Sequence, residues 1–311
     1  MKSSTPFNID FMGWRKFFAG LSLAYILFSV AYIAINGLNY GLDFTGGTLV
    51  EVQMPDAANP DEIRALLDDA GYSNGIVQLL GSARDVLVRM PPQVEGDQAL
   101  LGDQIVETLR AAYGDVVLKQ ANFVGPVVGA ELREDGALAM LAALAAIMAY
   151  VMLRFTRQFA IACIVALVHD VIAVLGFFAL FGWTFDLSVL AAVLAIIGYS
   201  INDSIVISDR IRENFRGMRR ATPIEIVNTS LNQVLARTLI TSGTVLLTLI
   251  ALLLVGGDSL RGFSLAMTIG VFFGCYSSIF VLAAMIIFMN VTREDLVVPV
   301  DEENRLDEGP L

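Results

Sequence analysis

Six stretches of this sequence are too long and too apolar for the surface of a soluble domain, and they decide what the chain can become. They lie at 17–35, 136–153, 159–181, 187–207, 239–255 and 264–288. A helix needs about 20 apolar residues to cross the hydrocarbon of a bilayer, where only helices and closed barrels satisfy their own backbone. Each stretch therefore predicts a transmembrane helix. The first is longer than the about 7–15 apolar residues of a cleaved leader, and no convincing cleavage site follows it, so it reads as a retained helix.

The rest of the composition agrees. The 311 residues are 56% hydrophobic and 16% charged, against about 25% charged in soluble proteins. A formal charge of −11 argues against nucleic acid as a partner. Cys163 and Cys275 both lie inside apolar runs and have no metal-ligand spacing around them. Nothing supports an enzyme.

Arginine and lysine in short loops orient such a chain. Residues 1–16 carry Lys2, Arg15 and Lys16, and the loop after the second span carries Arg154 and Arg157. The loop after the fourth is the richest, with Arg210, Arg212, Arg216, Arg219 and Arg220, whereas the alternate loops at 182–186 and 256–262 hold Arg261 alone. Both termini are expected in the cytoplasm, with 17–37 as the first span and 38–135 on the opposite side. Spans two to six occupy 136–290, and 291–311 reads as an acidic tail without fixed structure. Phe7, Ile9, Phe11 and Trp14, just before Arg15 and Lys16, suit the lipid interface.

The segment 38–135 patterns as a small α+β domain. Residues 48–54, 76–80, 84–90 and 116–124 read as strands, and 60–70 and 97–113 as amphipathic helices stopped by Gly71 and Gly114. The order β-α-β-β-α-β predicts a ferredoxin-like split pattern. It contains no histidine, no cysteine and no nucleophile beside a base, so it reads as a binding or coupling module. Gly46 and Gly47 permit a sharp turn beyond the first span, and Pro126 ends the domain.

Ionisable groups inside a bilayer cost about 2.5–3.5 kcal/mol at a helix centre and are functional candidates by default. Here they are His169 and Asp170 in the third span, Asp203 beside Asn202 in the fourth, and Arg237 at the start of the fifth. Asp203 lies sixteen residues past Leu187, which at 1.5 Å per residue is about 24 Å from the outer end. Arg237 enters at a similar depth. The two can form a switchable proton carrier or a static ion pair between helices, and both readings stand on spacing alone. His169 and Asp170 are adjacent, so about 100° of helix separates them and they are not expected to face each other. Gly270, Gly274 and Ser278 repeat every fourth residue, a small-residue face for close helix contact. Thr241, Ser242 and Thr244 should hydrogen-bond within or between helices.

Four strings are recognisable in order. They are Gly-Leu-Asp-Phe-Thr-Gly-Gly at 41–47, Val-Gly-Pro-Val-Val-Gly-Ala-Glu-Leu at 124–132, the run 198–214 around Asn202 and Asp203, and Arg-Thr-Leu-Ile-Thr-Ser at 237–242. Over essentially the whole chain they resemble the SecD/SecF family of bacterial protein-export membrane proteins, on the side of its smaller member. The resemblance implies the resistance-nodulation-division (RND) transporter fold: a six-helix bundle with an inserted ferredoxin-like α+β domain in the periplasm. It implies pairing with SecD about a pseudo-two-fold axis in the inner membrane. It also implies association with the SecYEG channel and YajC, and contact with exported unfolded polypeptide. The family uses a proton gradient, or sodium in some marine species, to assist late steps of export, with no other cofactor. Asp203 and Arg237 match its intramembrane pair, with Asn202 alongside. His169-Asp170 matches a recurring dipeptide, and Asp43, Phe44, Gly46, Gly47, Gly125 and Pro126 match its structural motifs. Two rivals remain open: an RND-type exporter of small molecules or lipid, and a passive scaffold in which the charged pair is glue.

Overall fold

The structure, a computed structural model, describes residues 8–92 and 100–291. Lys2, Phe7, the expected helix start at 97–99 and the acidic tail from 292 onward lie outside the described residues. Six helices among those described are long and apolar enough to cross a membrane.

A 3-10 turn at Met12–Trp14 leads into helix α1 (Arg15–Asn36). Beyond it come a short strand β1 (Asn39–Tyr40), a single-turn helix α2 (Leu42–Thr45) and then the outer domain. That domain runs β2 (Gly47–Gln53), α3 (Pro60–Asp69), β3 (Ile76–Leu79), β4 (Asp85–Met90), α4 (Leu101–Tyr113) and β5 (Val117–Val124). Its antiparallel sheet has the order β3-β4-β2-β5, the ferredoxin-like arrangement expected from the strand and helix periodicities. Alternation works as it should: Val50, Val52, Val86 and Val88 point one way and bury against Ile63, Leu67, Ile105 and Leu109 of the two helices. Asn59 caps α3 through the Asp61 amide, and Pro60 fills the first turn, where a missing N–H costs nothing. On the opposite face Lys119 of β5 sits 2.7 Å from Asp85 and 3.6 Å from Glu51.

The membrane helices follow as α5 (Pro126–Arg154), α6 (Arg157–Phe181) and, after a short strand β6 (Thr184–Phe185) that pairs in parallel with β1, α7 (Leu187–Gly217). Then come α8 (Pro223–Val255), α9 (Asp258–Ser277), a π-helical turn at Ser278–Leu282 and α10 (Ala283–Phe288). The spans of α6 and α7 are 61% and 56% buried inside this chain, against 11% for α1, 11% for α5 and 17% for α8. The centre is therefore α6, α7 and α9, with α1, α5 and α8 outside.

Two expectations are corrected. The second membrane helix begins at Pro126, not 136, so 126–135 belongs to α5 and Pro126 opens a helix as well as ending a strand. Glu131, Arg133, Glu134 and Asp135 hide that stretch from hydropathy without opposing helix formation. Second, Phe11 is buried in the bundle together with Met12 (9% and 0% exposed), whereas Ile9 and Trp14 stay 46% and 63% exposed. Phe11 and Met12 are held there because Asn228 and Asn232 of α8 bind the backbone before the 3-10 turn.

Candidate functional site in the membrane core

The core is built on a seam of small residues. Gly270 of α9 faces Ile196 of α7, and a Cβ added there would lie 2.3 Å from the Ile196 Cδ1. One turn on, Gly274 faces Ser200, with an added Cβ 3.3 Å from its Cβ. Another turn on, the Ser278 and Ser204 hydroxyls meet at 3.2 Å. The four-residue repeat noticed in α9 thus meets a four-residue repeat in α7, which is how two helices approach closely in lipid, where apolar burial between them drives little.

The seam encloses Asp170, which is fully buried. Its Oδ2 accepts from the Ser200 hydroxyl at 2.5 Å and the Ser277 hydroxyl at 2.9 Å, and its Oδ1 lies 3.1 Å from His169 Nδ1. The adjacent side chains do meet, against the expectation from the helical wheel. Both lean toward the α9 side of α6, where the His169 ring also lies against Phe273 and Tyr276 at 6.1 and 5.9 Å. The Asp170 carboxylate ties α6 to α7 and α9 at one point, while His169 Nε2 is buried without a partner.

Asp203 is different. It is 5% exposed, and its Oδ2 is buried with no donor. Ser242 of α8 lies beside this carboxyl. The Ser242 oxygen accepts from the Tyr199 hydroxyl at 3.2 Å, which leaves its own proton to offer. Such a carboxyl inside an apolar core must bear several kcal/mol as an underpartnered charge or carry a proton itself. No ion pair joins it to Arg237, whose side chain is exposed on the outer face of α8. The azimuth of Arg237 about α8 points it outward, which spacing along the helix does not reveal. Asn202 is exposed as well. Thr241 and Thr244 bond back to carbonyls of their own helix, and Ser242 is the one of the three that reaches another. Sequence reasoning missed Ser200, Ser277 and Tyr199, although the four-residue spacing of Ser200 and Ser204 was visible. Among the described residues no group of three or more His, Cys, Asp or Glu could hold a metal ion.

Where the outer domain meets the bundle, the 41–47 string makes a tight corner. Asp43 Oδ2 accepts from the Leu187 amide at 3.0 Å, at the first turn of α7, beside the Asp186 cap. Phe44 stacks on Phe185 with centroids 5.8 Å apart. Gly46 (φ 69) and Gly47 (φ 116) adopt backbone that side chains rarely allow, and a Cβ on Gly47 would lie 2.2 Å from the Met90 carbonyl. Gly125 caps α5 and Pro126 begins it, with the Pro126 Cα 2.9 Å from where a Gly46 Cβ would be.

These features have counterparts elsewhere. The family model described as protein export membrane protein SecD/SecF, C-terminal, matches residues 104–292, and the SecD/SecF GG motif matches 31–54. The chain belongs to the SecD/SecF family. It is 45% identical to the protein translocase subunit SecF of Pseudomonas aeruginosa over 97% of this chain and 98% of that one. With the SecF of Escherichia coli O157:H7 the identity is 44%, over 97% and 94%. The crystal structure of SecDF, a translocon-associated membrane protein from Thermus thermophilus, superposes with a TM-score of 0.84 at 36% identity over 93% of this chain. This chain spans 40% of that longer one. SecDF in a super-membrane-facing form matches with a TM-score of 0.68 at 37% identity. The SecD/SecF chain described here is thus a multi-pass membrane protein with half of an RND-type bundle.

Proposed function

We propose that this chain couples ion flow across the bacterial inner membrane to late steps of polypeptide export, as the SecF-type partner of SecD. The observation that carries the reading is Asp203: a carboxyl buried in the helix bundle with one oxygen unpartnered and no fixed counter-ion. A static glue pair would need Arg237 against it, and Arg237 faces away. The outward faces of α1, α5 and α8 suit a second six-helix bundle from SecD. Such a bundle would enclose Arg237 and Asn202, which this chain alone leaves exposed. The proton is the coupled ion, with sodium the alternative, and no further cofactor takes part.

The loop charges support an orientation with both ends in the cytoplasm and the outer domain in the periplasm. There the ferredoxin-like domain meets SecD or the emerging unfolded chain. Docking to the SecYEG channel, with YajC, belongs to the same reading. One charge crossing 100 mV supplies about 2.3 kcal/mol, so a few protons suffice to bias a domain movement against backsliding. The test is export of a secretory protein into inverted vesicles carrying this chain and SecD, after ATP-driven initiation is complete. Asp203→Asn should leave the complex assembled and abolish the stimulation by a proton gradient. Full stimulation in that variant would overturn the reading.

A further inference from the structure

The N-terminal strap and α8 are joined by a set of hydrogen bonds that the function above does not use. The Asn228 Oδ1 accepts from the Phe11 amide at 2.9 Å and the Met12 amide at 3.3 Å. One turn on, Asn232 Oδ1 accepts from the Ile9 amide at 2.8 Å, while its Nδ2 donates to the carbonyls of Ile9 and Asn228, both at 2.8 Å. Asp10 closes the strap into a turn through the Gly13 amide at 2.9 Å. Two side-chain amides at helical spacing thus grip backbone more than two hundred residues away in sequence, with Asn232 only 4% exposed.

The strap reaches the candidate site by two routes. Through Asn228 and Asn232 it sets the height and rotation of α8, which carries Arg237 and Ser242. Through Phe11, whose ring lies 6.1 Å from Phe280, it rests on the π-helical turn that brings Ser278 to Ser204, the residue after Asp203. Turns of this kind are short interruptions of the helix ladder and concentrate at functional sites. The other flank of α8 is tied to α7, where Asn214 donates to Ser230 at 2.8 Å and to Gln233 at 2.7 Å. The cytoplasmic half of α8 is therefore clamped on two sides. Beyond Thr238 its threonine hydroxyls turn back on their own helix.

We propose that Asn228 and Asn232 are positioning residues of the ion-coupling site, fastening the strap to α8 so that Ser242 keeps its register against Tyr199 and Asp203 of α7. This rests on the ion-coupling reading of Asp203. The two asparagines use their amides differently, and that makes the idea testable with isosteric changes. Asn228 serves only as an acceptor, so Asn228→Asp keeps both strap bonds, whereas Asn228→Ala loses both. Asn232 accepts and donates, so Asn232→Asp sets a carboxylate against the Ile9 carbonyl and removes two donors.

The experiment uses the full chain with SecD in inverted vesicles and reads gradient-driven export per assembled complex, across a range of pH. Asn228→Asp should match wild type. Asn228→Ala and Asn232→Asp should each lose about fivefold or more of the gradient stimulation, the scale of one lost buried hydrogen bond, with a displaced pH midpoint. Should Asn232→Asp fail to assemble, the Asn228 pair alone decides. If the variants lower only the amount of complex while each complex responds as wild type does, the residues are merely structural and the proposal is wrong. Asp203→Asn runs alongside: if it keeps full stimulation, the ion-coupling reading itself fails. If it loses stimulation while Asn228→Ala and Asn232→Asp keep theirs, only the strap proposal fails.

Discussion

Gly129 sits against Gly46 so closely that a Cβ on Gly129 would lie 2.7 Å from the Gly46 nitrogen. Both partners in that contact are backbone, so neither can turn aside. Gly129→Ala should therefore cost about 1–3 kcal/mol, as overpacking does in a tight core. Gly20→Ala in α1 meets nothing within 4 Å and should be neutral or stabilising, since alanine favours a helix by about 1 kcal/mol over glycine. Thermal unfolding of the two purified variants in one detergent makes the comparison.

Gly270 makes a second, separable prediction. Gly270→Ala drives a methyl to 2.3 Å from Ile196 and should destabilise the α7–α9 seam by about 1–3 kcal/mol. Ile196 is fully buried, so Ile196→Ala alone should cost about 2–5 kcal/mol, but in that background the obstacle is gone and Gly270→Ala should cost little more. Denaturant unfolding of the two single variants and the double variant tests that coupling; additive losses would mean the seam is not the site of strain.

Asp170 gathers two hydroxyls on a single oxygen. Ser277→Ala removes one donor from a buried carboxylate and should cost about 1.5–3 kcal/mol, the range for hydrogen bonds to charged groups. Because Ser200 and Ser277 share Oδ2, the paired variant should depart from the sum of the singles by at least about 0.5 kcal/mol. A double-mutant cycle on unfolding measures it.

The edge strand β5 should respond to pH through Lys119. The ammonium of Lys119 holds the Asp85 carboxyl below its usual range, and Asp85 in turn holds Lys119 above its own. A depressed carboxyl contributes stability that is complete above its unfolded value of about 3.9 and is lost as pH falls through the folded value. The raised lysine contributes below about 10.4 and loses that contribution as pH rises through its folded value. Protection of the β5 amides, with exchange taken relative to its intrinsic rate at each pH, should thus fall at both extremes in the whole protein, and Lys119→Met should flatten both arms.

How far the sequence carried this depended on what each pattern encodes. Two-residue and 3.6-residue periodicities report which face is buried, so the order of strands and helices in the outer domain was legible before the sheet was seen. Hydropathy locates the middle of a span but not its polar ends, which is why ten residues of α5 were assigned to the domain. A lone carboxylate in an apolar run is conspicuous, and Asp203 was found for that reason. Its surroundings were not, because rise along a helix gives depth while the outward turn of Arg237 depends on how α8 rolls against α7. The His169–Asp170 contact was missed likewise: it depends on rotamers set by α9 packing, which the spacing of α6 does not contain.

No loop separates β5 from α5: the strand ends at Val124, Gly125 caps, and Pro126 is already helical. A linker of even a few flexible residues would let the outer domain tumble while the helices stayed still. Without that slack, a push on the sheet arrives at the membrane as a tilt of α5, and a tilt of α5 returns as a swing of the sheet. Force and displacement can pass in either direction through this corner.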